Sequence, residues 1–309
     1  MVPVDVVGLG LSTVDILMRL SEMPTWEAGG DLRELGFDGG GPVGTALVAA
    51  ARLGASTGYV GTCGSDEIAA LKLHYLSRDG VDISHVVPRS TPERQMIAVY
   101  VHSKSGERVF ASTHSQGALL APDELDRDYI NSAEYLLLDG FHPAAALQAA
   151  QWRRAAGKPV VLDAARTRGE ISHNMMALVE LSDVLICGSG FSETLTGMTD
   201  WLEAGEALRK RGPWLVVQTE GAQGCYTSTA GECFHTPAFK VDVVDTTGAG
   251  DVFHGAYIIG LLKDWGVRRI ATFAAAVSAI KCTHLGGRSG IPGYTEVQKF
   301  LVSRGEEIA

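Results

Sequence analysis

The sequence predicts an α/β fold, with a mainly parallel central sheet, helices on both faces and a small β lid. That expectation rests on three features. Apolar runs of strand length alternate with helical stretches along most of the chain. Gln95–Ser112 breaks this rhythm and alternates like a hairpin around the polar turn Ser103-Lys104-Ser105-Gly106. Small residues at Gly248-Ala249-Gly250 stop abruptly at Asp251, where an apolar helical pattern begins.

Val4–Gly8 reads as a buried first strand. Thr45–Leu53 reads as an Ala-rich helix closed by Gly54. Strands follow at Gly58–Gly61, Tyr135–Leu138, Pro159–Asp163, Val184–Cys187 and Trp214–Thr219. Helical patterns fall between them at Ala144–Ala156, Asn174–Leu181 and Leu202–Arg211. Cys225–Pro237 reads as a second hairpin turning at Ala230-Gly231, and Val241–Val244 as a strand entering the small-residue loop. Leu11–Phe37 shows no clear helix. Without a linker, repeat or low-complexity run, residues 1–309 read as one domain, with a lid from about 11–37 and 95–112.

Composition narrows the function. Apolar residues make up 46% and charged residues 20%, a globular balance. A net charge of −10 argues against nucleic acid or an anionic membrane as the main partner, though not against an anion held locally. The five cysteines are scattered without a CxxC, which fits free thiols in a reducing, cytoplasmic setting and neither a disulfide framework nor a zinc site. Met1–Asp5 has no basic region leading into an apolar run, so no signal peptide is expected. No apolar stretch reaches the length of a membrane span.

The chemistry concentrates at residues 245–256. Gly248, Ala249 and Gly250 let backbone approach a ligand closely. The first amides of the following helix lack internal partners and favour negative charge. Asp251 then stands at the edge of an anion cradle. This arrangement suits phosphoryl transfer to a hydroxyl: amides stabilise the moving group and the carboxylate accepts the alcohol proton. An ordinary Gly-rich turn capped by Asp251 would explain a lone Gly-Ala-Gly-Asp, but the flanking threonines and acids make the string more specific. His254, inside the helical pattern, is placed near this site. Gly8-Leu9-Gly10 invites a dinucleotide reading, but Thr13 stands where the third glycine belongs. No GxxxxGK[ST] is present.

Val244-Asp245-Thr246-Thr247-Gly248-Ala249-Gly250-Asp251-Val252-Phe253 resembles the C-terminal signature of the ribokinase-like (PfkB) carbohydrate kinases. Gly39-Gly40-Gly41-Pro42 through Ala51-Arg52-Leu53-Gly54 resembles their N-terminal signature, and the resemblance covers essentially the whole chain. It implies a ribokinase-like fold, ATP and Mg2+, a small-sugar acceptor, and a homodimer joined through the lid. By the same resemblance Asp15, Gly40, Gly41 and Thr45 face the sugar. Thr219, Gly221 and Gly224 lie beside the nucleotide, although a plain turn explains those glycines too. The loop 280–292, with Gly287, walls the adenine. Asp245 and Thr247 would contact a monovalent cation, K+.

Three departures stand out. Thr45 replaces the usual Asn and loses its bidentate capacity. Gly290 stands where Ser is common, which bears on potassium. Gly188 and Phe191 occupy the positions of an NxxE motif, with Glu193 nearby. Mg2+ is then expected on ATP oxygens and water, with Glu193 or Asp163 in an outer contact.

The wording of residues 238–255, 286–292 and 39–45 is most similar to the sulfofructose kinase branch. A sulfonate needs cations, yet only Arg33 lies between Pro24 and Gly41, and Asp139-Gly140-Phe141-His142 offers no Lys or Arg. Arg94, Lys104 and Arg108 on the lid read as solvated charges. A neutral sugar is therefore the first reading, 6-deoxy-6-sulfofructose the second, and a nucleoside stacked on Phe141 or Trp26 the third. A non-catalytic sugar or nucleotide sensor is the alternative of another class. A nicotinamide oxidoreductase rests on Gly8 and Gly10 alone.

Overall fold

Alternate residues of each central strand face two different cores. Leu136 and Leu138 pack into one hydrophobic cluster, while Leu137 between them packs into the other. The same alternation places Val160 and Leu162 on one side and Val161 on the opposite side. Such strands must be covered on both faces, which is why the sequence reads as helix between strands.

The computed structural model describes residues 4–113, 117–165 and 169–306. The chain begins with β1 (Val6–Leu9), β2 (Thr13–Leu20) and β3 (Leu32–Gly40), then α1 (Pro42–Arg52), β4 (Thr57–Cys63), α2 (Glu67–Ser77) and β5 (Asp82–Pro88). Next come β6 (Met96–His102), β7 (Arg108–Ser112), α3 (Arg127–Ser132), β8 (Tyr135–Leu138), α4 (Pro143–Ala155), β9 (Val160–Ala164) and α5 (His173–Leu181). β10 (Val184–Gly188), α6 (Phe191–Thr196), α7 (Trp201–Arg209), β11 (Leu215–Thr219), β12 (Cys225–Ser228) and β13 (Cys233–Thr236) follow. α8 (Ala249–Leu262), α9 (Val267–Lys281) and α10 (Tyr294–Ser303) close the fold.

The central sheet has nine strands in the order β13-β12-β11-β10-β9-β8-β1-β4-β5. Every pair from β5 to β11 is parallel; β12 alone runs against the others, so its pairs with β11 and β13 are antiparallel. Residues of α1, α8, α9 and α10 bury one face, and residues of α3, α4, α5 and α7 the other. A separate sheet has four strands in the order β3-β2-β6-β7. It comes from the two stretches that break the βα rhythm. The hairpin over 95–112 forms as β6 and β7, and Leu11–Phe37 holds two strands rather than a helix.

Most expected elements form, with shifted ends. β1 starts at Val6, because Asp5 instead bonds Ser56 through its amide and carboxylate. The first long helix begins earlier than expected, at Pro42, whose fixed φ and missing N–H suit a helical first position. One expected strand is absent: Val241–Val244 joins no sheet. Its Val244 amide donates to the carbonyl of Cys282 at 2.8 Å. The segment is tied to the end of α9 rather than to a strand, so it forms no ladder. Among the described residues no helix is long and apolar enough to cross a membrane.

Candidate active site

The strand order reverses at β1: the chain pairs it with β4 on one side and β8 on the other. Ligands bind outside the carboxyl ends of strands at such a crevice. Asp139 directly follows β8, and Asp163 lies near the end of β9. α8 is set over these ends by His254. Its Nε2 lies 3.2 Å from the Ile186 carbonyl oxygen of β10 and 3.4 Å from Asp163 Oδ1. Its Nδ1 lies 2.7 Å from the Gly250 carbonyl oxygen.

Gly248 caps α8 with φ +75°, a left-handed conformation that other residues adopt at a cost. A Cβ there would also lie 2.8 Å from the Gly287 carbonyl oxygen. The Ala249 amide turns back to the Thr246 carbonyl at 3.2 Å. Among the described residues, the amides of Gly250 and Asp251 have no such partner, so they are the free donors at this helix start. Asp251 is half-buried in the first turn. Desolvation pushes its carboxyl above the ordinary range, and the charges of His254, Arg108, Arg288 and Lys281 pull it back.

Asp15 lies on β2, close enough to Asp251 to feel its charge. It is buried, and its Oδ1 accepts from Thr13 Oγ1 at 2.6 Å. Burial pushes it up to about 7, opposed by the Thr13 bond and Arg288. Gly40 is glycine because a Cβ would fall directly on the Asp15 carboxylate. Asp139 accepts from the amides of Leu11 at 2.8 Å and Phe141 at 2.9 Å, and desolvation pushes it up to about 6. The charge of Asp251 raises Asp15, Asp139 and Asp163 alike. All three carboxyls therefore lie close enough to Asp251 to feel its charge.

The floor is held by residues far apart in sequence. Asp38 at the end of β3 accepts through Oδ2 from the amides of Arg288 and Ser289, both at 2.9 Å. Fully buried Arg288 donates to Thr45 Oγ1 at 3.2 Å, to Ser12 Oγ at 3.0 Å and to the Gly40 carbonyl. Asp245, also fully buried, joins the helix-start loop to the loop after α9. Its Oδ1 accepts from the Thr247 amide at 2.8 Å and hydroxyl at 2.7 Å, and its Oδ2 from the Gly286 amide at 2.9 Å.

The family model for pfkB family carbohydrate kinases matches residues 9–293, from the β1 end to the start of α10. The chain belongs to the pfkB family of carbohydrate kinases. It is a sugar kinase. A ribokinase of Haemophilus influenzae is 28% identical over 272 residues, 85% of this chain and 87% of that protein. A 5-dehydro-2-deoxygluconokinase of Geobacillus kaustophilus is 26% identical over 97% of this chain and 94% of its own. The crystal structure of a ribokinase from Thermotoga maritima superposes with a TM-score of 0.83 at 25% identity, covering 97% of this chain and 99% of that one.

In this carbohydrate kinase the sequence-derived residues separate into groups. Gly40 backs onto the Asp15 carboxylate, Asp251 is close enough to raise Asp15, and Gly287 sits between the Gly39 carbonyl (3.3 Å from a Cβ) and Gly248. Gly41 has φ +83°, and a Cβ there would meet the Leu11 carbonyl oxygen at 2.6 Å. Thr45 does not reach the crevice surface; it is fully buried and its hydroxyl holds Arg288. Thr219 donates to the Cys187 carbonyl at 3.2 Å. Gly221 (φ +53°) and Gly224 (φ +98°) shape the turn after β11, and a side chain on Gly224 would strike the Thr236 backbone. Glu193 is exposed on α6, and Phe191 is packed in the core. Arg108 is exposed on β7, as expected of a lid charge, and it also donates to Thr246 Oγ1 in the helix-start loop.

Sequence reasoning missed Asp38 and Arg288 as structural partners. Their signal was weak, one acid before a glycine run and one arginine inside a glycine loop. Only the fold puts them in contact.

Proposed function

We propose that the protein transfers the γ-phosphoryl group of ATP to a hydroxyl of a small sugar, with Asp251 as general base. The supporting observation is Asp251 itself: a half-buried carboxylate at a helix start, beside free amides and close enough to Asp15 to raise it. Asp15 and the Gly40-Gly41 backbone would bind sugar hydroxyls. The acceptor hydroxyl would lose its proton to Asp251 as its oxygen forms the new O–P bond, and ADP would leave with the other bond's electron pair. The loop Gly248-Ala249-Gly250, chiefly through the Gly250 and Asp251 amides, would hold the moving phosphoryl charge. Thr219, Gly221, Gly224, Thr247 and Gly287 line the proposed nucleotide side.

Mg2+, when bound, neutralises phosphate charge during transfer. Among the described residues no three His, Cys, Asp or Glu side chains gather to hold a metal alone. We propose that the ion is held mainly by phosphate oxygens and water. Asp163, buried beside Asp251, is the better outer contact than exposed Glu193.

The relatives named ribokinase and 5-dehydro-2-deoxygluconokinase support a small-sugar acceptor. A neutral sugar is favoured because Asp139-Gly140-Phe141-His142, beside the proposed pocket, carries no Lys or Arg for an anionic substituent. We further propose a homodimer joined through the four-stranded sheet, which exposes Leu35, Phe37, Val109 and Phe110. Light scattering that showed a clean monomer would remove this part.

The deciding experiment is ADP release from Mg-ATP across neutral sugars, sulfofructose, sugar phosphates and nucleosides, with Asp251→Ala as control. Turnover with one neutral sugar, lost in the variant, is expected. Sulfofructose as the sole acceptor would replace the neutral-sugar reading. Ligand binding without turnover on any acceptor would favour a sensor.

A further inference from the structure

Resemblance to the family raised Asp245 and Thr247 as contacts for an exchangeable monovalent cation. The side chains here do not fit one. Both carboxylate oxygens of Asp245 already accept protein donors, from Thr247 and from Gly286. Its backbone carbonyl accepts from Lys281 Nζ at 2.9 Å. Lys281, the last residue of α9, is fully buried. A buried ammonium without a purpose is costly, yet this one sits behind the loop that leads to Gly248 and Asp251.

We infer that the Lys281 ammonium is a built-in substitute for the monovalent cation, fixing the loop Asp245–Gly250 so that the enzyme works without K+. An alkylammonium head carries the same single charge as K+ and donates to oxygens that K+ would coordinate. It is tethered, so it cannot exchange with the medium. Gly290, where a serine oxygen is common in the family, supplies no side-chain oxygen to this region. Burial lowers the Lys281 pKa, and the neighbouring Asp245 opposes that shift. Lys281 touches no reacting atom in this arrangement; it is a positioning residue that acts through the Asp245 carbonyl. The inference rests on the proposed reading of this loop as the phosphate-facing one.

Two salts and one variant test it. Wild type and Lys281→Ala are assayed in KCl and in choline chloride of equal ionic strength, and melted in both salts with and without Mg-ATP. Wild type is expected to show the same kcat, nucleotide affinity and Tm in the two salts. Lys281→Ala is expected to lose about 10–100-fold in kcat in choline, to keep its KM for the sugar, and to recover in KCl. Its Tm should rise with K+ concentration, as expected when an ion binds only the native state. A merely structural lysine would give no potassium-selective recovery. A K+-selective gain in wild-type activity, affinity or Tm overturns the inference, as does a folded Lys281→Ala that K+ neither activates nor stabilises. Should the variant fail to fold in either salt, the wild-type comparison decides alone. The melting and nucleotide-affinity readouts need no sugar acceptor, so failure of the kinase reading would be seen separately.

Discussion

Asp38 and Arg288 stand 250 positions apart and are joined by a 2.9 Å hydrogen bond from the Arg288 amide to Asp38 Oδ2. The bond ties the end of a lid strand to the loop after α9. The Arg288 side chain then reaches the Gly40 carbonyl, so both glycine segments share one anchor.

Arg288→Met should therefore destabilise the protein by about 3–5 kcal/mol, the usual consequence of breaking a buried charged network. Lys at the same position should rescue little, because it lacks the guanidinium fork that spans Thr45, Ser12 and Gly40. Thermal or urea unfolding of both variants checks this. A Lys variant as stable as wild type would show that charge alone suffices.

Asp251→Ala should reduce kcat by at least ~10²-fold while sugar and nucleotide still bind. The base must be ionised to act, and desolvation raises its pKa. Activity should thus fall on acidification at a higher pH than an ordinary carboxylate would give. A kcat–pH profile whose acidic limb lies at or below the ordinary Asp value of 3.8 would contradict this environment.

Asp15→Asn should separate stability from function. The folded carboxyl is raised to about 7, so the native state holds this proton more tightly than the unfolded chain does. Its stabilising contribution is full below the unfolded pKa and disappears as pH rises through about 7. Wild type should lose stability over that window, and Asp15→Asn should lose less. The same variant should raise the KM for the sugar. Equal pH dependence of Tm in both proteins would sink the argument.

Gly248→Ala should cost about 1–2 kcal/mol from the left-handed backbone alone. Crowding against Gly287 should add to it and shift the free amides of the helix start. A lower Tm with a reduced kcat is expected; an unchanged kcat would detach this loop from the chemistry.

Asp163→Asn should raise the Mg2+ concentration needed for half-maximal activity, whereas exposed Glu193→Ala should leave it alone. Magnesium titrations of the two variants distinguish these carboxylates. A shift in Glu193→Ala alone would reverse the assignment.

Much of this was legible along the chain, because the relevant physics is local. Period-two strands, helices between them and the hairpin at 95–112 follow from hydrophobic spacing and turn residues. Asp251 and the glycines before it form a contiguous motif whose backbone needs are visible in its composition. Val241–Val244 shows where local reading fails. It has strand composition, but a strand exists only where another strand lies alongside, and here the Cys282 carbonyl takes its donor. Thr45 fails differently: its residue type suits a sugar contact, but its neighbour in space is Arg288.

The chain's order of small, apolar and acidic residues was thus enough for the α/β class, the glycine-led helix start and the candidate base. Folding alone decided which distant groups meet. Asp15 feels the charge of Asp251, Asp38 holds Arg288, and Lys281 reaches the carbonyl of Asp245. Backbone propensity and periodicity act over a few residues, whereas burial and electrostatics act through space between segments that spacing cannot pair.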